Sequence, residues 1–336
     1  MTATFLELVD LASDRLGGAA IVANDDFFAP KENLIKPEPP VWIEGKYTER
    51  GKWMDGWETR RRREAGHDWC VIRLGVPGFV RGVDVETTHF KGNYPEACAI
   101  DVCEIRGLAT ADDLAGAAWR EALARTPLEG DAHNLFAIAG APRATHVRLR
   151  IFPDGGVARL RVHGDVAADW SRLSARGEVD LAAVEHGGLV IACSDMFFGS
   201  RHNLIMPGDA RDMGDGWETK RRRGPGHDWT IVRLGAAGTI RRIEIDTRHF
   251  KGNAPGAASL DAAALNDDEL VLRQPQDVGG VWRGLLPRTP LQPHTRHIFE
   301  DEVTAIGNVT HVRFNIYPDG GVGRLRLWGR PKGLHQ

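Results

Sequence analysis

The sequence predicts an all-β chain of two tandem jelly-roll β-sandwich domains, and three observations lead there. The chain repeats itself, its apolar runs are short and β-branched, and turn-forming residues punctuate those runs. DGWETRRRREAGHDWCVIRLG at 55–75 returns as DGWETKRRRGPGHDWTIVRLG, an offset of 160 (215 against 55). THFKGNYP returns as RHFKGNAP with the same offset (248 against 88). THVRLRIFPDGGVARLRVHG returns as THVRFNIYPDGGVGRLRLWG, offset by 165 (310 against 145). Upstream, NDDFFAPKENL aligns with SDMFFGSRHNL, offset by 170 (194 against 24).

The changing offsets locate the insertions. Repeat 1 carries about ten extra residues around KPEPPVWIEGKYTERGK (36–52), whose Pro, Gly and charge content marks an exposed loop. Repeat 2 is longer after Asp261, through NDDELVLRQPQD. Residues 1–165 therefore form the first domain and 179–336 the second. The polar, unpatterned segment 166–178 links them.

Each repeat opens with a run, LELVDLASDRL or DLAAVEHGG, that reads as a short helix. HDWCVIRLGV and HVRLRIFP have strand length and composition, and FVRGVDVETTHF alternates with period two. FPDGGVA and YPDGGVG read as hairpin turns. Strands at about ten-residue spacing with so little helix indicate antiparallel sandwiches.

The formal net charge of -3 and pI of about 6.5 give no reason to expect nucleic acid as a partner. The four arginines at 60–63 sit among acids and form no basic face. No stretch approaches the ~18–20 apolar residues of a membrane span. The first residues lack the marks of a secretory signal, so a cytoplasmic place is expected. Cys70, Cys98, Cys103 and Cys193 face Thr230, Ala258, Ala263 and Ala23 in the other repeat, which argues against a disulfide or thiolate metal site common to the fold.

Two clusters carry candidate chemistry. Glu58, His67 and Asp68 lie near Arg61 and Arg63, and recur as Glu218, His227 and Asp228 near Arg221 and Arg223. Carboxylates, imidazole and guanidinium together suit proton transfer on an anionic substrate. A surface turn of paired charges is the structural alternative. The second cluster is His89, Lys91 and Asn93, matched by His249, Lys251 and Asn253. There the histidine is a candidate proton-transfer group, and the lysine and asparagine are candidate binders of carboxylate or ureido groups. Its structural alternative is a Lys-Gly-Asn turn. Asp154-Gly155-Gly156 with Arg159 and Arg161, repeated at 319–326, reads as a turn followed by a solvated or salt-bridged strand face. No nucleophile elbow, P-loop, dinucleotide fingerprint or His-Glu-x-x-His occurs. The sequence requires no cofactor. A divalent metal remains compatible with His67, Asp68 and His89, but the metal ligands are unknown.

NDDFFAPKENL, DGWETRRRR, GHDW, HFKGN, RTPL and PDGGVARLRVHG, in that order over about residues 20–330, resemble the allantoicase family. The resemblance implies two jelly-roll domains similar to galactose-binding modules, a homo-oligomer, and hydrolysis of allantoate to ureidoglycolate and urea in purine catabolism. Such a reaction calls for a general acid (His67 or His89) and a general base (Glu58 or Asp68), with Arg61 or Arg63 holding the carboxylate. Rival readings are a tandem carbohydrate-binding module, a neighbouring ureide-processing enzyme and an inactive scaffold.

Overall fold

The structure is a computed structural model that describes residues 4–175, 177–273 and 280–333. The chain divides into two compact units, 1–167 and 168–336. Unit 1 holds β1 (Val9–Asp10), β2 (Ala19–Ala23), β3 (Tyr47–Thr48), β4 (Gly51–Lys52), β5 (Trp57–Glu58), β6 (Asp68–Glu86), β7 (Ala97–Cys103), α1 (Ala111–Ala115), β8 (Arg120–Pro127), β9 (His133–Ala137), β10 (Arg143–Phe152), β11 (Gly156–Val157) and β12 (Arg159–Val166). Unit 2 holds α2 (Trp170–Ser174), β13 (Val179–Asp180), β14 (Leu189–Cys193), β15 (Trp217–Glu218), β16 (Asp228–Asp246), β17 (Ala257–Ala263), α3 (Glu269–Arg273), β18 (Arg283–Pro290), β19 (Arg296–Phe299), β20 (Val309–Tyr317), β21 (Gly321–Val322) and β22 (Arg324–Pro331). Both units are all-β sandwiches of jelly-roll type, with antiparallel pairing throughout.

The organising element is one long strand per unit. The runs HDWCVIRLGV and FVRGVDVETTHF do not form two strands but fall within the 19-residue β6. Its first half pairs with β2 on one side and β10 on the other. Its second half pairs with β12 and β9. Leu74 to Pro77 have no partner on β10, so Pro77 sits where its missing N–H breaks no ladder bond to that strand. The strand thus belongs to both layers of the sandwich. Ile72 and Leu74 from its first half share a core with Val80, Val83 and Val85 from its second, closed by Leu149, Leu160 and Val162. Each such fully buried side chain contributes about 1.5–3 kcal/mol.

Three local expectations need correction. LELVDLASDRL is a two-residue strand and a 3-10 turn (Asp14–Leu16), not an α-helix. The Asp10 carboxylate accepts from the amides of Ala12 and Val162, which ties this segment to β12 instead of into a helical ladder. DLAAVEHGG behaves alike, with Asp180 accepting from Ala182 and Leu327. The PDGG segments do not close a β10–β12 hairpin. They lead into β11 and β21, which pair with β5 and β15, because β10 and β12 each seek a place on β6.

The segment 166–178 contains α2, capped by Asp169. Residue 176 of that segment and residues 274–277 of the second insertion lie outside the described residues. All four cysteines are free. Cys70, Cys98 and Cys103 are buried, and burial raises their thiols, that of Cys103 to about 11. Among the described residues no helix is long and apolar enough to cross a membrane.

Candidate active site

A cleft of about 1050 Å³ in unit 1 is built where three of the repeated motifs meet. β5 supplies the first. It alternates, so Trp57 is fully buried and donates its indole N–H to the Asp25 carbonyl (2.8 Å), while Glu58 faces the cleft. The PDGG segment supplies the second. Thr59 N–H donates to the Gly155 carbonyl, and the Asp154 carboxylate accepts from the Arg62 amide at 2.8 Å. The HFKGN loop supplies the third. Phe90 is its fully buried anchor, and Gly156 N–H donates to the Asn93 carbonyl at 2.7 Å. Gly155 has φ of +139°, and a Cβ there would meet the Asn93 carbonyl oxygen at 2.7 Å. Only glycine permits this approach. Asn93 consequently donates its amide to Glu58 Oε1 at 2.7 Å.

Burial raises the Glu58 carboxyl above the ordinary glutamate range, and the Asn93 hydrogen bond opposes only part of that rise. The arginine run divides its duties. Arg60 pairs with Asp25 (2.6 Å) and Arg62 with Asp68 (2.7 Å). Arg61 and Arg63 are exposed, line the same cleft and make no ion pair or side-chain hydrogen bond among the described residues. Two unpaired guanidiniums beside a half-buried carboxyl suit an anionic substrate that undergoes proton transfer.

The structure does not bring every candidate into this cleft. Asp68 is almost fully buried, with Oδ1 accepting from Arg62 and from Asn24 at 2.7 Å each. Asp228 is held in the same way by Arg222 and by Ser194 at 3.0 Å. His67 lies on the Phe152 ring, with ring centroids 4.9 Å apart. Burial, then Arg150, Arg148 and Arg62, lower its pKa. His227 packs likewise on Tyr317 and contacts Asn315 Oδ1 at 3.2 Å. His89 takes φ of +72°, and its Nε2 lies 3.3 Å from the Pro40 carbonyl. His249 repeats this with Ala210 at 3.0 Å.

His89 and Lys91 line a second cavity of about 590 Å³ that shares Gly92 and Asn93 with the cleft. Lys91 lies 3.6 Å from Asp131. Unit 2 keeps the Asn253–Glu218 hydrogen bond at 2.6 Å, and its Arg221, Arg223 and Lys251 are exposed. Among the described residues no group of three His, Cys, Asp or Glu side chains is placed to hold a metal ion, so His67, Asp68 and His89 form no ligand set.

The cleft also contains Tyr94 and Glu96, to which the shared motifs do not point. Their signal was a difference between the repeats, since Ala254 and Gly256 stand opposite them. None of the Trp57, Trp69 and Trp119 rings lines the cleft.

The Allantoicase repeat family matches residues 9–167 and 179–332, which takes in the arginine run, both glutamates and both HFKGN loops. The chain belongs to the allantoicase family. A probable allantoicase 2 of Burkholderia pseudomallei (strain K96243) is 50% identical over 325 residues, covering 96% of this chain and 94% of that one. A probable allantoicase of Pseudomonas aeruginosa (strain LESB58) is 48% identical over 330 residues, covering 98% of each. The crystal structure of allantoicase from Saccharomyces cerevisiae is 34% identical, with a TM-score of 0.79, covering 96% of this chain and 92% of that chain. The chain is an allantoicase-family hydrolase.

Proposed function

We propose that the chain hydrolyses allantoate to ureidoglycolate and urea, and that the unit 1 cleft is where it does so. Family membership carries the reaction, and the half-buried Glu58 in one cleft with two unpaired arginines carries the location. Allantoate bears one carboxylate and two ureido arms on a single carbon. Arg61 and Arg63 hold the carboxylate through charge-assisted hydrogen bonds. The breaking C–N bond leaves its electron pair on the urea nitrogen. Water delivers hydroxide to the carbon, and its proton passes to the departing nitrogen.

Glu58 performs both transfers, taking the proton from water and handing it to urea. A carboxyl with a raised pKa serves both steps because its two protonation states lie closer together in energy near neutral pH. Asn93 orients Glu58. Tyr94 and Glu96, absent from the matching positions of unit 2, favour unit 1 as the site of turnover. In this reading His67 packs on Phe152, His89 sits at the Pro40 carbonyl, and Asp68 is the buried anchor of Arg62. Glu218, Arg221, Arg223, Lys251 and Asn253 form the corresponding second cluster, with His227, Asp228 and His249 as its supports.

The cleft's arginines and its lack of tryptophan speak for this hydrolase over a carbohydrate-binding module. We further infer a cytoplasmic place, which four unpaired cysteines support, and a homo-oligomer, which the family resemblance supports. The test is to incubate chelator-treated protein with allantoate, with and without divalent metal. Urea and ureidoglycolate in equal amounts without metal are expected. Ammonia in place of urea, turnover only after metal addition, or no turnover would contradict the reading.

A further inference from the structure

We propose that the insertion of repeat 1 builds a second binding site, a compartment for a small ureido carboxylate beside the cleft, and that unit 2 lacks it. The inference rests on the allantoicase reading only for the chemical class of ligand. The compartment has about 590 Å³, within the ~300–1,000 Å³ range of small-molecule sites. Trp42 and Lys52 come from the insertion, Met54 follows it, and His89, Lys91, Gly92 and Asn93 come from the HFKGN loop. Two lysines and no carboxylate line it, so an anion is the matching charge. The Lys52 ammonium lies over the face of the Trp42 ring, 4.2 Å from its centroid, which holds the cation against the wall of the compartment. A carboxylate meets that ammonium while the uncharged ureido arm takes the rest of the compartment.

The wall is built in advance of any ligand. The Val41 amide donates to Asp55 Oδ2 at 3.0 Å, and Asp55 is fixed by Arg159 at 2.7 Å. Arg159 Nε donates to the Glu38 carbonyl at 3.0 Å, and Arg161 donates to the Pro37 carbonyl at 3.2 Å. The first residues of the insertion are therefore tied to β12, directly and through Asp55, and the Trp42 ring packs 5.9 Å from His89. Unit 2 keeps His249, Lys251 and Asn253, but its shorter joining segment supplies no counterpart of Trp42 or Lys52. Because Asn93 lines both spaces and donates to Glu58, the compartment adjoins the reacting carboxyl through one side chain.

The probe is N-carbamoylglycine, which has one ureido arm and one carboxylate but no second ureido arm to lose. It is titrated calorimetrically into the whole chain carrying Arg61→Ala, Arg63→Ala, Arg221→Ala and Arg223→Ala, which removes the exposed arginines of the cleft and their counterparts in unit 2. Saturable binding with a change in tryptophan fluorescence is expected. Adding the exposed substitution Lys52→Glu should weaken it more than about tenfold, since a charge-assisted bond becomes a repulsion. Trp42→Ala should abolish the fluorescence change. The amide of the probe, without its carboxylate, should not bind. The proposal is overturned if the folded four-arginine variant binds no probe, or if Lys52→Glu leaves the affinity unchanged. Neither result depends on turnover, so a failure here is separable from a failure of allantoate hydrolysis, which wild-type urea release reads on its own.

Discussion

Arg159→Met should unsettle unit 1 more than any exposed substitution near the cleft. Arg159 and Asp55 have side-chain exposures of 1% and 6%, and their ion pair is 2.7 Å long. Arg159 also donates to the carbonyls of Glu38, Asp55 and Ala158. Methionine fills much of the volume but leaves Asp55 buried and charged, with the Val41 amide and the half-exposed Lys36 as its remaining partners. Removing one partner of such a pair costs about 3–5 kcal/mol. Asp55→Asn leaves a neutral acceptor for Val41 and should cost less, about 1–3 kcal/mol.

The pH dependence follows from the same geometry. Burial alone would raise the Asp55 carboxyl, but the hydrogen bonds from Arg159 and Val41 outweigh it and hold the pKa below the ordinary range. A carboxyl lowered in the folded state contributes stability that is present above its unfolded pKa and is lost as pH falls through its folded pKa. Asp25, Glu32, Asp113 and Asp131 are lowered too, so unit 1 loses stability in acid in both proteins, and the loss should be smaller in Arg159→Met, where Asp55 has lost its main stabilising partner. Urea denaturation fitted with one transition per unit, at neutral and acidic pH, reads both effects. A neutral-pH cost below about 1 kcal/mol for Arg159→Met, or a larger cost for Asp55→Asn, would refute the reasoning.

Other outcomes follow from the cleft. Replacing Arg61 and Arg63 together with alanine should raise KM for allantoate by at least about tenfold, with folding unchanged, because neither has a protein partner to lose among the described residues. The acid limb of the kcat/KM profile should lie above the ordinary carboxylate range, since activity needs Glu58 ionised and burial raises it. A limb at the usual glutamate value would contradict that. His67→Gln should keep kcat within a few-fold, because its ring serves as packing on Phe152. A loss of about 10²-fold or more would return His67 to the acid's role.

The tandem organisation was legible because both copies retain long motifs in order, and repetition needs no knowledge of packing. Period-two alternation and β-branched runs likewise revealed the strands. The 19-residue β6 was hidden because Gly75, Pro77 and Gly78 read as a break. A bend between two sheets and a loop between two strands look alike in sequence. Arg159 and Arg324 read as a solvated or salt-bridged strand face; the salt bridges form, to Asp55 and Asp215, but both arginines are buried under a loop that folds back from more than a hundred residues earlier. Composition does not record such coverage. Asp68 and Glu58 are both acids beside arginines. Only the structure shows that Asp68 is occupied by Arg62 and Asn24 while Glu58 keeps an edge toward the cleft. Tyr94 and Glu96 carry no repeat signal, because Ala254 and Gly256 replace them in the second copy.

The most direct test compares Glu58→Gln with Glu218→Gln in urea release from allantoate. The Glu58→Gln side chain keeps the shape of the original and can still accept from Asn93, so only the proton transfer is removed. The unit 1 account expects kcat to fall about 10²–10⁴-fold in Glu58→Gln. Its stability should be unchanged or slightly higher, because a carboxyl raised by burial no longer has to ionise in the folded state. Glu218→Gln should retain most of the rate. Near wild-type kcat in Glu58→Gln, or a collapse confined to Glu218→Gln, would contradict it.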